Sequence, residues 1–220
     1  MALDITFFRR VMGQFTTGVT IVTTRSEKGI AGLTVNSFTS VSLNPLLVLV
    51  SIDLRSQSLP FLREGGIFAV NILTQEQEAL ARCFASSSEE RYTYFCNAHH
   101  HVAATGAPIL DGSLAFIDAR ITAEYPGGDH ALFLGQVEAM GYDGQTVFLP
   151  GISSASSTLP VAEAEIKTGN GSNGHNGHHD HSPLASSSAT PLVYYHGKYR
   201  SLSSHTPQPA LSTTNQHEQK

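Results

Sequence analysis

The chain opens on a helical pattern and then changes period. Phe7, Phe8, Val11, Met12 and Phe15 recur on one side of a helix, and Gly18 is placed to close it. Residues 19–24 are β-branched throughout, Lys28-Gly29 marks a turn, and residues 30–35 and 38–42 predict two further strands. Beyond Pro45, the apolar run 46–52 predicts a strand buried on both faces. Ser58 followed by Pro60 predicts a helix start, which Gly65-Gly66 ends, and residues 67–73 predict another strand. Thr74 and Gln77 have capping-box spacing and lead into a helix with Ala79, Leu80, Cys83 and Phe84 as its apolar stripe. A polar, irregular stretch follows. Residues 114–124, 131–140, 146–149 and 191–195 then predict strands, with a turn over Tyr125-Pro126-Gly127-Gly128-Asp129. Many short strands, few short helices and no regular βαβ alternation predict a mainly β fold, an antiparallel barrel.

Composition alters this in two places. Residues 151–190 contain no aromatic side chain and are rich in Ser, Gly, Asn and His, so they predict a disordered insertion inside one domain spanning residues 1–202. Residues 203–220 predict a flexible tail. Elsewhere the 40% hydrophobic content supports a real core. A net charge of −5 without a basic block predicts no nucleic-acid partner. The longest apolar run, Leu46 to Val50, is too short to cross a bilayer, and an early Asp4 followed by Arg9-Arg10 is the wrong order for a secretory signal. The two cysteines, Cys83 and Cys96, predict reduced thiols in a cytoplasmic protein.

Three stretches carry candidate chemistry. In Thr34-Val35-Asn36-Ser37-Phe38-Thr39, hydroxyl and amide groups interrupt an apolar run and could serve a flat heterocycle with polar edges, or form an ordinary turn. Ser51 and Ser56-Gln57-Ser58, with Arg55 beside them, could cradle a phosphate, or simply cap a helix. His130 follows the turn Gly127-Gly128-Asp129, where it could donate a proton or hydrogen bond to a ligand, or simply be exposed. Tyr195-His196-Gly197-Lys198-Tyr199 forms a second polar, aromatic cluster. His99-His100-His101 and the group His175, His178, His179, His181 predict no metal site: the first are consecutive, and the second lie in a biased segment without a cysteine partner.

The order of these stretches resembles one family. Phe15-Thr16-Thr17-Gly18-Val19-Thr20-Ile21-Val22-Thr23-Thr24, then residues 34–42, then Pro45 to Val50, are followed by Phe68-Ala69-Val70-Asn71, Leu80 to Ala85, Gly106 to Leu110, Gly128-Asp129-His130 and residues 191–199. Together they are similar to the flavin reductases, the reductase components of two-component flavin-dependent monooxygenases. The resemblance implies a Greek-key split β-barrel that forms a homodimer. It also implies transfer of a hydride from NADH or NADPH to FMN or FAD, and supply of reduced flavin to a partner monooxygenase. By the same likeness, residues 34–39 line the flavin ring, and Ser51, Ser56, Gln57 and Ser58 hold its phosphate region. Phe84 and Ala85 close the other side, while His130, Tyr195, His196, Gly197 and Tyr199 face the nicotinamide nucleotide, with His130 as the catalytic candidate. Two other readings remain: a split-barrel flavoprotein that retains flavin and reduces another acceptor, and a non-catalytic flavin-binding module. The chain departs from the family in carrying Leu46 after Pro45, and in the insertion at 151–190.

Overall fold

The computed structural model describes residues 4–149, Leu184 and residues 189–202. The expected disordered insertion, apart from Leu184 and residues 189–190, and the expected tail lie outside the described residues. So do His175, His178, His179 and His181.

Helix α1 (Ile5–Met12) is capped by the Asp4 carboxylate, which accepts from Thr6 N, and it ends at Gly13 rather than at Gly18. Gly18 instead closes a two-residue strand, β1 (Thr17–Gly18). The main sheet is built from β2 (Thr20–Ser26), β3 (Gly29–Val35), β4 (Thr39–Leu43), β5 (Leu46–Asp53), β6 (Ile67–Ile72), β9 (Ala115–Gly127) and β10 (His130–Tyr142). Its order is β3-β2-β6-β9-β10-β5-β4, every pair antiparallel, with β11 (Gln145–Phe148) added to β10. This is the expected antiparallel split barrel with a few short helices.

Strand β2 stands between two cores, which is why all five of its first residues are buried. Val22 packs with Leu33, Val50, Phe68 and Phe133, whereas Ile21 packs with Leu73, Phe84 and Leu192. Buried polar groups here are satisfied: Thr24 Oγ1 donates to Ile67 O at 2.7 Å, and from the neighbouring β6 Asn71 Nδ2 donates to Ile21 O at 3.0 Å while its Oδ1 accepts from Leu110 N at 2.8 Å. Strand β5 departs from the expectation of two buried faces. Val48, Val50 and Ile52 are buried, but the alternate residues are only half-buried, because among the described residues no layer covers the outer side of β5. The expected five-residue turn at 125–129 is also shorter. Tyr125, Pro126 and Gly127 pair with Leu132, Ala131 and His130, leaving Gly128-Asp129 as a two-residue hairpin.

Helix α2 (Leu59–Gly65) stops at Gly66, whose φ of 65° suits a residue without Cβ. The capping box forms between Thr74 and Gln77 over a 3₁₀ turn (Gln75–Gln77) and feeds α3 (Glu78–Ala85). The buried side of α3 is Ala81 and Phe84, with Leu80 and Cys83 half-buried; Ala79 is exposed. The stretch beyond, irregular in the sequence, folds into α4 (Glu89–Tyr94), a 3₁₀ turn (Phe95–Asn97), and the small hairpin of β7 (His100–Val102) with β8 (Pro108–Leu110). Cys83 and Cys96 are joined in a disulfide across α3 and this turn, which corrects the expectation of reduced thiols. The half-buried stripe of α3 meets the folded-back turn there, a long-range approach that no local pattern around either cysteine signals.

Candidate functional site

The final hairpin, β12 (Leu192–Tyr195) and β13 (Lys198–Ser201), joins β1 in a three-stranded sheet. Three backbone bonds lock it in place: Val19 N to Leu192 O at 3.1 Å, Leu192 N to Leu73 O at 2.9 Å, and Leu73 N to Val19 O at 3.1 Å. Tyr194 and Tyr199 pair across the hairpin and project on the same side, ring centroids 5.6 Å apart. They face the β3 end and the last turn of α3. A cavity of about 220 Å³ lies between, lined by Thr34, Val35, Asn36, Ala85, Tyr194 and Tyr199. Asn36 also lines a larger space of about 760 Å³, whose walls include Thr17, Ser37, Phe38 and Thr39 with Met12 and Phe15 at the α1 side.

The polar groups around these cavities are partly committed. Thr34 Oγ1 donates to Ala81 O at 2.7 Å, pinning β3 to α3. Ser37 Oγ donates to Ser51 O at 2.8 Å and accepts from Ser51 N at 3.2 Å, so the two serines hold each other. The Thr17 hydroxyl, by contrast, is buried without a hydrogen-bond partner among the described residues. A buried hydroxyl on a cavity wall, left unbonded, is costly unless a ligand answers it. Burial raises the Tyr199 phenol above its ordinary pKa, so its hydroxyl stays protonated.

Thus Thr34, Val35, Asn36, Ala85 and Tyr199 meet at one cavity, and Ser37, Phe38 and Thr39 continue into the next. Phe84 stands behind this wall. It is wholly buried, its ring 4.9 Å edge-on to Phe95, and it fills the space beside Gly32, where an added Cβ would lie 2.6 Å from Phe84 Cε1. Tyr195 points to the other side of the hairpin and stacks on His196, ring centroids 4.1 Å apart. His196 Nε2 meets Gln14 Oε1 at 2.8 Å, and with Gly197 it lines a separate space of about 450 Å³ beside Arg9 and Arg10. Strand alternation applied to residues 192–195 is the signal that pairs Tyr194, not Tyr195, with Tyr199. Thr17 carried no such signal.

The 51–58 stretch runs from β5 into α2. Arg55 is exposed and bound bidentately by Asp53, at 3.1 and 2.7 Å, and these bonds hold the Asp53 carboxyl well below the usual carboxylate range. Ser56 and Gln57 lie at the surface turn, but the Ser58 hydroxyl is buried and donates to Gly32 O at 3.2 Å. His130 pairs in register with Asp53 and its Nδ1 lies 2.7 Å from Asp129 Oδ1, an interaction that lowers the Asp129 pKa. His130 is therefore brought to the 53–58 stretch and lines neither of the two cavities that meet at Asn36. Among the described residues, no three His, Cys, Asp or Glu side chains are grouped as metal ligands, and His101 Nδ1 lies 2.9 Å from Asp111.

An antiparallel split barrel with a cleft bounded by a small-residue connection, a helix end and a tyrosine-bearing hairpin defines the class of protein: a binder of a flat, polar-edged ring. The chain belongs to the flavin reductase like domain family, which matches residues 12–150. It is 40% identical over 138 residues to an NADH-dependent flavin reductase from a Rhodococcus species, covering 61% of this chain and 76% of that protein. It is 38% identical over 139 residues to the flavin-dependent monooxygenase reductase subunit HsaB of Rhodococcus jostii, covering 63% and 70%. Among solved structures, the NADH:FAD oxidoreductase SgcE6 of Streptomyces globisporus, in complex with NAD and FAD fragments, superimposes with a TM-score of 0.66 at 28% identity, over 92% of this chain and 95% of that one.

Proposed function

We propose that this chain is an NAD(P)H:flavin oxidoreductase that supplies reduced flavin to a partner monooxygenase. The observation that carries the reading is the pair of cavities meeting at Asn36, one wall of which holds the unbonded Thr17 hydroxyl. Those residues fit a flavin. The ring has polar edges that the Thr17 hydroxyl and Asn36 amide can answer, and an apolar body that Val35, Phe38 and Ala85 can cover. When bound, the flavin supplies the acceptor for a hydride from the nicotinamide.

The protein's part is placement. Thr34, fixed to Ala81, holds the strand edge on which the ring lies, and the hairpin with Tyr194 and Tyr199 narrows the approach. Ser56 and Gln57 are proposed for the phosphate region, with Ser51 and Ser58 shaping it from behind. Tyr195, His196 and Gly197 are proposed for the nicotinamide nucleotide together with His130, which would orient it. Residues 1–202 form the proposed single domain. A homodimer is proposed because the apolar side of α1 and the β4 side chains Val41 and Leu43 are left exposed. Among the described residues, no helix is long and apolar enough to cross a membrane. Cytoplasm remains the proposed compartment on account of the nicotinamide co-substrate, since the disulfide removes the cysteine argument for it.

The test is oxidation of NADH and of NADPH by the purified chain with FMN or FAD, followed through nicotinamide absorbance. Fast flavin-dependent oxidation is expected, and roughly tenfold slower oxidation in His130→Ala, as for loss of one orienting hydrogen bond. Flavin binding without nucleotide oxidation would leave a binding module. Full activity in His130→Ala would remove that residue from the mechanism.

A further inference from the structure

The loop that leaves α3 ends in a turn that its own residues disfavour. Phe95, Cys96 and Asn97 follow one another at φ of 49°, 53° and 52°. Asn tolerates this left-handed region, but in Phe and Cys the Cβ crowds the backbone there, and two such residues in a row must be held from outside. What holds them is tertiary. The Phe95 ring lies edge-on to Phe84, centroids 4.9 Å apart, and packs against Gly32 of β3. Cys96 is bonded through sulfur to Cys83 on α3. Helix α4 has a separate tie: Arg91 Nε donates to Gly32 O at 3.0 Å and Nη1 to Ser86 O at 2.7 Å. Opening the disulfide therefore frees the turn at 95–97 and leaves α4 in place.

This turn stands behind one wall of the smaller cavity. Cys83 lies between Ala81, whose carbonyl accepts from Thr34 Oγ1, and Ala85; Thr34 and Ala85 line that cavity with Tyr194 and Tyr199. Phe84, between Cys83 and Ala85, sets its ring against Phe95. The last turn of α3 is thus joined to residues 95–96 by a ring contact and by sulfur. Cys83 O also accepts from Ser86 N at 3.0 Å and Ser86 Oγ at 2.8 Å, so the helix closes beside the bond. Cys96 is buried but Cys83 is only half-buried, so an incoming thiol meets the bond from the Cys83 side. The chain has two cysteines, which leaves a single pair to exchange.

We propose that Cys83 and Cys96 form a thiol–disulfide exchange site through which a dithiol loosens the grip of the cavity on flavin. One thiolate of the dithiol attacks Cys83 Sγ, the S–S bond breaks, and its electron pair leaves on the Cys96 sulfur, which takes up a proton. The second thiolate attacks the reductant's own sulfur in the mixed disulfide and releases the Cys83 thiolate, which takes up the second proton. The chain gains two electrons and two protons, and the dithiol becomes a disulfide. With the bond open, residues 95–96 relax out of the left-handed region, the Phe95 ring leaves Phe84, and Ala85 loses its backing. This rests on the flavin reading above and adds control of the same site. In the proposed cytoplasm such a bond senses redox state, because the thiol pool there keeps few disulfides closed.

The test measures FMN and FAD binding, by quenching of flavin fluorescence, before and after treatment with dithiothreitol in the dark. Free thiols are counted once the reductant has been removed. Reduction is expected to expose both thiols and to weaken flavin binding roughly 3- to 10-fold, the range for having to order one more side chain on binding. Reoxidation with oxidised glutathione should restore the affinity. The double variant Cys83→Ala with Cys96→Ala should bind like the reduced chain, with or without dithiothreitol. Unchanged affinity with both thiols free overturns the proposal, and so does a chain whose two thiols stay free under the oxidant. Should the double variant fail to fold, the wild-type cycle of reduction and reoxidation decides alone. If neither form binds flavin, the flavin reading itself fails. Amide hydrogen exchange over residues 84–97 then decides the switch: faster exchange after reduction supports it, and equal rates overturn it.

Discussion

Helices α1 and α3 are each eight residues long, and their relations to the core are opposite. On α3, Ala81 and Phe84 are wholly buried; on α1 no residue is buried, with Phe7 64% and Phe8 56% exposed. Both helices are amphipathic in sequence, so periodicity alone does not tell whether the protein's own sheet will meet the apolar side. What differs is the surroundings. α3 is docked by Thr34, by the disulfide and by the Phe95 ring, whereas α1 contacts the rest of the chain through its end, where His196 N donates to Gly13 O at 3.0 Å. An apolar helix side held out in this way is the observation on which the proposed homodimer rests.

The largest expected effect breaks the α3 side. Phe84→Ala should cost about 3–5 kcal/mol in urea unfolding, since the ring fills the space between Gly32 and Phe95. A cost below about 1 kcal/mol would mean that the helix is not anchored through this ring. Next comes the disulfide, which closes a loop with a sequence separation of 13. Reduction or Cys96→Ser should lower stability by about 3 kcal/mol. An identical melting curve with and without reductant would show that the link does not form in solution. The smallest effect belongs to α1. Phe8→Ala should leave the unfolding of the isolated protomer within about 0.5 kcal/mol of wild type. Phe8→Glu, on the other hand, should shift sedimentation from dimer toward monomer, and wild-type sedimentation would exclude α1 from the interface.

The strands of the main sheet were legible because their β-branched runs and turn residues act locally. The residues that set the pairing order sit within the strands themselves, so β2, β3, β6 and β10 match their expected spans closely. The helix ending at Gly13 was misplaced because Gly18 offered an equally good stop, and only the pairing of Thr17 and Gly18 with Tyr194 and Val193 decides between them. The region 86–111 was illegible for a different reason. Its turn carries Phe95, Cys96 and Asn97 in succession at φ near +50°, a conformation that Asn tolerates but that Phe95 and Cys96 adopt only where tertiary contacts impose it. Residues 34–39 announced themselves through polar groups in an apolar run. Thr17 did not, because a hydroxyl left unbonded among the described residues is a property of position, not of pattern.

The hairpin locked between Val19 and Leu73 also has a bearing on biogenesis. Its strand β12 pairs with a segment about 175 positions earlier in the chain, the kind of distant contact that closes slowly and late. During synthesis the barrel strands can assemble while the cleft still lacks Tyr194 and Tyr199. Nascent chains would thus be compact before they are able to grip a cofactor, and a ribosome-bound intermediate stalled short of residue 191 should be folded but blind to its ligand.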